Sequence, residues 1–281
     1  MHVNIDDAAM VNSAGSVHDG ALRTRFISGT FIGIVTIGAG LLGGWWFTGL
    51  VFAVFAIAAY EAVILMRVCG FKPSLVFSFL SFSLAFITVR LPNLPNLPLL
   101  ITILLLTSLA WQMRHRSGKP IADSAIGLLI GVYLGWTGGH LAAVRELDHG
   151  IWWLVIAIGI TWLADSGAYI VGKRYGIHQL APSISPKKTW EGYFGGVAVA
   201  ALGGLLIGLI SPLGMLHSVI AAVLVGALGT LGDLTESLFK RQANAKDSSN
   251  LIPGHGGAFD RIDSLVWAGV IIFYYATVFY R

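Results

Sequence analysis

Charge is what this sequence has least of. Only 11% of its 281 residues are Asp, Glu, Lys or Arg, against roughly 25% in soluble domains. So few charges cannot coat a soluble surface. With 56% hydrophobic residues, the chain reads as one whose solvent is a bilayer. Cysteine is nearly absent. Cys69 alone excludes a disulfide framework and a Cys-rich metal centre, and reads as an ordinary buried or lipid-facing thiol. No segment alternates polar and apolar residues over strand length, so a β-barrel is not expected. The formal charge of +4 is modest, and no clustered basic module suggests nucleic acid as a partner. No repeat of about 20–50 residues recurs. Residues 1–22 are polar, with Asp6, Asp7 and Asp19. They lack the basic start, apolar core and cleavage site of a signal peptide and read as a short cytoplasmic tail.

What is present is a series of apolar runs, with 35 glycines that suit close helix packing. A span needs about 20 mostly apolar residues. Nine stretches qualify or nearly do: 25–43, 44–65, 74–90, 97–112, 122–144, 151–171, 190–210, 216–236 and 264–280. The expected fold is therefore an all-α polytopic membrane protein. Its parts are a tail (1–22), an N-terminal set of helices (23–150) and a C-terminal catalytic region (151–281).

Lysine and arginine orient the spans. One set of loops holds Arg23, Arg25, Arg67, Lys72, Arg114, Arg116, Lys119, Lys173, Arg174, Lys187, Lys188, Lys240, Arg241, Lys246 and Arg261. The other holds only Arg90, Arg145 and Arg281. This asymmetry is independent of hydropathy and supports nine spans, with the N-terminus cytoplasmic and the C-terminus periplasmic. Arg145 falls on the far side, and replacing it is expected to matter little to the chemistry.

Several acids lie at or within the ends of apolar runs: Glu61, Asp165, Asp233 and Glu236. Ionisable groups at membrane depth are expensive and point to function, or else to a structural ion pair. Asp233, Glu236, Ser237 and Lys240 are spaced i, i+3, i+4, i+7 and so share one helix face. After them come Arg241, then Lys246-Asp247-Ser248-Ser249, Pro253-Gly254-His255-Gly256-Gly257 and Asp260-Arg261-Ile262-Asp263. Glycines let backbone N–H groups approach an anion. Basic side chains neutralise phosphate, and carboxylates hold Mg²⁺ together with phosphate oxygens. Together these residues describe a metal–triphosphate site.

A second polar segment carries Asp165-Ser166-Gly167-Ala168-Tyr169 at a helix end and Ser185-Pro186-Lys187-Lys188-Thr189 before the next helix. Ser185 and Pro186 suit the N-cap and first position of that helix. Lysines in a first turn oppose the helix dipole. Lys187 and Lys188 therefore read either as holding an anion or as obeying the charge asymmetry of the loops. Other motifs fail. Gly38-Ala39-Gly40-Leu41-Leu42-Gly43 matches a dinucleotide fingerprint but has no preceding strand. There is no GxxxxGK[ST] loop, no GxSxG elbow and no zinc-type histidine spacing. Of the eight histidines only His255 lies among the candidate residues.

The run from Ser237 through Lys240-Arg241, Lys246-Asp247-Ser248 and Pro253-Gly254-His255-Gly256-Gly257 to Asp260-Arg261-Ile262-Asp263 resembles the hallmark of phosphatidate cytidylyltransferases, also called CDP-diacylglycerol synthases. Asp165–Tyr169 and Ser185–Thr189 look like that family's upstream motifs. The resemblance covers about 161–264, and Leu251-Ile252-Pro253-Gly254 has a bacterial look. It implies a multi-pass enzyme of the bacterial inner membrane, often a homodimer, acting on CTP and phosphatidic acid among membrane lipids. It further implies Mg²⁺ on Asp233 and Asp260 with Ser237 close by, and a second cation such as K⁺. Catalytic roles would fall to these aspartates, Lys240, Arg241, Lys246, Asp247, His255, Arg261 and Asp263. Substrate would be held by Asp165, Ser185, Lys187, Lys188, Thr189, Gly254, Gly256 and Gly257. Related CTP-dependent polyprenol kinases share the fold, and a transporter is the alternative of a different class.

Overall fold

The computed structural model describes residues 28–114, 119–252 and 256–280. The expected tail, Arg23, Arg25, Arg116, Gly254, His255 and Arg281 lie outside the described residues. The described chain is helical almost throughout. The helices are α1 (Ser28–Leu42), α2 (Gly44–Val68), α3 (Leu75–Arg90), α4 (Leu97–Arg114), α5 (Pro120–Val144), α6 (Gly150–Tyr175), α7 (Trp190–Ile210), α8 (Gly214–Gln242) and α9 (Phe259–Phe279). All but α1 and α3 are long and apolar enough to cross a membrane. The protein is thus an all-α polytopic membrane protein, as the apolar runs predict.

The two ends of the bundle are chemically different. At one end Cys69, just past α2, donates its thiol to the Gln242 carbonyl at the end of α8 (3.2 Å). Burial pushes this thiol's pKa up, which suits a structural rather than a reactive group. At the same end Asp123, in the first turn of α5, accepts from the Lys72 N–H (2.7 Å). At the opposite end Arg90 pairs with Glu146 and lies over the Trp45 ring. There Arg145 donates to the last carbonyls of α1, at Gly40 (2.7 Å) and Leu41 (3.4 Å). Arg145 therefore caps a helix, a role the sequence reading does not foresee.

The helices approach closely where glycine allows it. A methyl group at Gly135 of α5 would collide with the Phe82 carbonyl of α3, and one at Gly232 of α8 with the Asp263 carbonyl of α9. Small residues of this kind replace the hydrophobic drive that lipid withholds between spans. Helix α9 packs against α8 and also against α5 and α2, so it joins the C-terminal helices to the N-terminal ones.

Three features depart from the expected helices. Residues Val155–Ile160 within α6 form a π-helical turn, of the type often found near functional sites. Helices α6, α8 and α9 run beyond their apolar stretches. Asp165 therefore lies well inside α6 rather than at its end, and Asp260 and Asp263 sit within the start of α9 rather than before it. Finally, Ser185 does not cap a helix. Ser185–Thr189 is a strand, β2, paired antiparallel with β1 (Gln179–Ala181). The next helix begins at Trp190, and Thr189 caps it by accepting from the Gly192 N–H (3.2 Å). The cap at Thr189 starts the helix there and leaves Ser185–Thr189 to pair with β1. Lys187 and Lys188 are thus not in a first helical turn, and the dipole argument does not apply to them.

Candidate active site

Three helices and the hairpin bring the charged residues together. Helix α8 carries Asp233, Glu236, Ser237 and Lys240 along one face, and α9 presents Asp260 and Asp263 from its first turns. Asp233, Glu236 and Asp263 each place a carboxylate oxygen within 4.8 Å of the others. Asp165 of α6 is an electrostatic neighbour of Asp233. From β2, Lys188 reaches Asp233 with its ammonium 2.5 Å from Oδ2. Lys240 stands between two acids, 2.5 Å from Glu236 Oε2 and 2.9 Å from Asp260 Oδ1.

Five carboxyl groups thus share a small volume with two ammonium groups. Like charges so placed repel and draw in cations or protons. The donor set is all oxygen, in the partly enclosed geometry that a hard divalent cation prefers. Asp260 differs from Asp233 in its surroundings. Its Oδ2 accepts from the Ser248 N–H (2.8 Å), the Ser248 hydroxyl (2.8 Å) and the Gly257 N–H (2.9 Å). Asp263 keeps one oxygen on the Ser264 N–H (2.7 Å).

Residues 23–279 match the sequence profile of the cytidylyltransferase family. The chain belongs to that family. It is 36% identical to a protein of Pseudomonas aeruginosa named phosphatidate cytidylyltransferase, over 88% of this chain and 94% of the other. A Brucella suis protein of the same name is 33% identical over 92% and 94%. One from Bacillus subtilis is 29% identical over 92% and 98%.

The remaining expected residues of this cytidylyltransferase-family protein fall into two groups. Some build the site's walls. Arg241 donates to the Ile184 carbonyl in the hairpin turn (3.0 Å), tying the hairpin to α8. Thr189 caps α7, and Ser237 is buried on the α8 face. Gly256 takes a left-handed φ of 80°, which suits glycine. Ser185 is half-buried in β2. The others, Lys187, Lys246, Asp247 and Arg261, are exposed around the same end. They are available to a soluble ligand but are not drawn into the acidic cluster.

Glu61 has a larger part than the sequence reading gives it. It is buried on α2 and accepts four hydrogen bonds from the loop and helix that carry Asp260. The only signal for it in the sequence is an acid inside an apolar run. Its partners lie nearly two hundred residues away, beyond any local pattern.

Proposed function

We propose that this protein transfers the cytidylyl group of CTP to phosphatidic acid, releasing pyrophosphate and leaving CDP-diacylglycerol in the membrane. The observation that carries the reading is the convergence of Asp233, Glu236 and Asp263 with Lys188 and Lys240 at one end of a membrane bundle. A metal–triphosphate and an anionic lipid headgroup both need such a mix, placed where lipid and water meet. The names of the relatives support the same substrates. The strong bias of Lys and Arg to the site's end supports a cytoplasmic active site, and the bacterial relatives support a bacterial inner membrane as the location.

In this mechanism an oxygen of the lipid phosphate attacks the α-phosphorus of CTP. A new P–O bond forms as the bond to the bridging oxygen breaks, and its electron pair departs on pyrophosphate. The lipid phosphate is already ionised near neutral pH, so no strong general base is required. The protein's work is alignment and charge neutralisation. Lys240, Arg241, Lys246 and Arg261 offer charge to the triphosphate and its leaving group. Lys187 and Lys188, on the hairpin, offer it to the lipid phosphate or the nucleotide. Asp247, exposed next to Lys246 in the chain, is available to orient a basic side chain.

The oxygen-rich cluster fits Mg²⁺. Asp233 would anchor the ion with Ser237 one turn on. Glu236 and Asp263 would be available to hold it as well, and Asp260, paired with Lys240, would be a further ligand. Bound there, Mg²⁺ supplies Lewis-acid polarisation of phosphate oxygens. A second cation such as K⁺ is compatible with the excess of carboxylates.

The test uses purified protein in mixed micelles with Mg²⁺, phosphatidic acid and CTP labelled at either the α- or the γ-phosphorus. Label from the α-position entering lipid, with labelled pyrophosphate from the γ-position, is the expected result. Label from the γ-position entering a lipid would instead establish a kinase, and no transfer from folded protein would overturn the reading.

A further inference from the structure

Glu61 is a carboxylate that the chemistry above leaves unused, and its surroundings are unusual. It is 3% exposed and lies on α2, remote in sequence from every other residue of the site. Its Oε1 accepts from the Ser249 hydroxyl (2.6 Å) and the Ala258 N–H (3.1 Å). Its Oε2 accepts from the Ser248 hydroxyl (3.0 Å) and the Phe259 N–H (2.8 Å). No basic side chain forms an ion pair with it among the described residues. A buried carboxylate is costly without compensation, and here four neutral donors supply it.

Those donors all come from one stretch of chain. Ala258 and Phe259 open α9, where the first backbone N–H groups have no partner within their own helix. Glu61 satisfies two of them from another helix and puts a negative charge at the positive end of the α9 dipole. Ser248 and Ser249 begin the loop that leads to α9. Ser248 also holds Asp260 through its N–H and hydroxyl. The packing leaves no slack, because a methyl group at Gly257 would lie 2.5–2.6 Å from the Glu61 carboxylate and overlap the Ser248 hydroxyl.

We infer that Glu61 is the positioning residue of the active site, pinning the loop and the start of α9 so that Asp260 and Asp263 face α8 in register. It touches no reacting atom. It acts through Ser248 and the two N–H groups, and through them the N-terminal helices set the geometry of a site whose other charged residues are C-terminal. The inference rests on the cytidylyl-transfer reading for its kinetic test but not for its structural one.

The experiment compares wild type with Glu61→Gln in the same micelles, by steady-state kinetics and by hydrogen exchange of the segment 246–263. Glutamine keeps the volume but turns one acceptor into a donor facing donors. The turnover number is expected to fall roughly a hundredfold, as for a reacting group displaced by about an ångström. KM for CTP and for phosphatidic acid should stay within about threefold, since uniform binding is untouched. Exchange should quicken in 246–263 while α3 and α5 keep their protection. Glu61→Asp, still a carboxylate but shorter, should recover part of the turnover.

A folded Glu61→Gln enzyme with wild-type turnover would overturn the inference. So would lost turnover with unchanged exchange in 246–263. If Glu61→Gln does not fold, Ser249→Ala removes one donor from the more open side. It should then lower turnover about three- to tenfold with KM unchanged, and wild-type turnover there would equally overturn the inference. If wild type itself makes no CDP-diacylglycerol, the proposed function fails. The exchange comparison then decides the role of Glu61 alone.

Discussion

The two sets of acids at this end of the bundle lie side by side and are treated in opposite ways. Glu61 and Asp260 are saturated with donors: serine hydroxyls and backbone N–H groups from the stretch Ser248–Phe259 and, for Asp260, the Lys240 ammonium from α8. Asp233, Glu236 and Asp263 face one another across a gap of less than 5 Å, with lysines at the rim. A saturated carboxylate fixes the chain around it. Carboxylates that crowd together with few donors store repulsion that a cation can relieve. In the proposed function the first set would build the frame and the second would carry the chemistry, with Asp260 at the boundary between them.

Substitutions can break or sharpen that contrast. Asp260→Asn is expected to have the largest effect, because it strikes both sets. Turnover should fall by roughly 10²–10³, and the buried pairing with Lys240 should cost about 3 kcal/mol of stability. Turnover and thermal unfolding measured on one preparation would show both losses. Lys188→Ala removes the hairpin's contact with Asp233 without touching the saturated set. It should weaken catalysis roughly ten- to hundredfold while the melting temperature holds, and a large stability loss would move Lys188 into the frame. Gly135→Ala lies away from both sets. Overpacking against Phe82 should cost about 1–3 kcal/mol, with turnover per folded molecule unchanged. Arg145→Ala, at the far end, should cost about 1 kcal/mol through the lost α1 cap and leave the kinetics alone.

Much of this arrangement was legible in the sequence. Apolar runs and loop charges locate the nine helices among the described residues, because lipid leaves so few other solutions for the backbone. The i, i+3, i+4, i+7 stripe on α8 survives intact because it depends only on helical period. Two kinds of feature were hidden. Hydropathy stops before the helices do: α6, α8 and α9 continue into polar sequence, so Asp260 and Asp263 are helical and Asp165 lies farther from its helix end than the apolar run suggests. The Ser185-Pro186 pair resembles a cap but belongs to a strand, since the competing cap at Thr189 finds its N–H partner in Gly192. The partnership of Glu61 with Ser248 and Phe259 is a long-range fact that no window of sequence contains.

The separation of chemistry from frame is tested most directly by Asp233→Asn, read by single-turnover transfer from α-labelled CTP and by hydrogen exchange of 246–263 on the same sample. The account predicts that transfer slows by roughly 10²–10³ while exchange in that segment stays at the wild-type rate. Transfer that persists, or transfer lost together with the segment's protection, would contradict it.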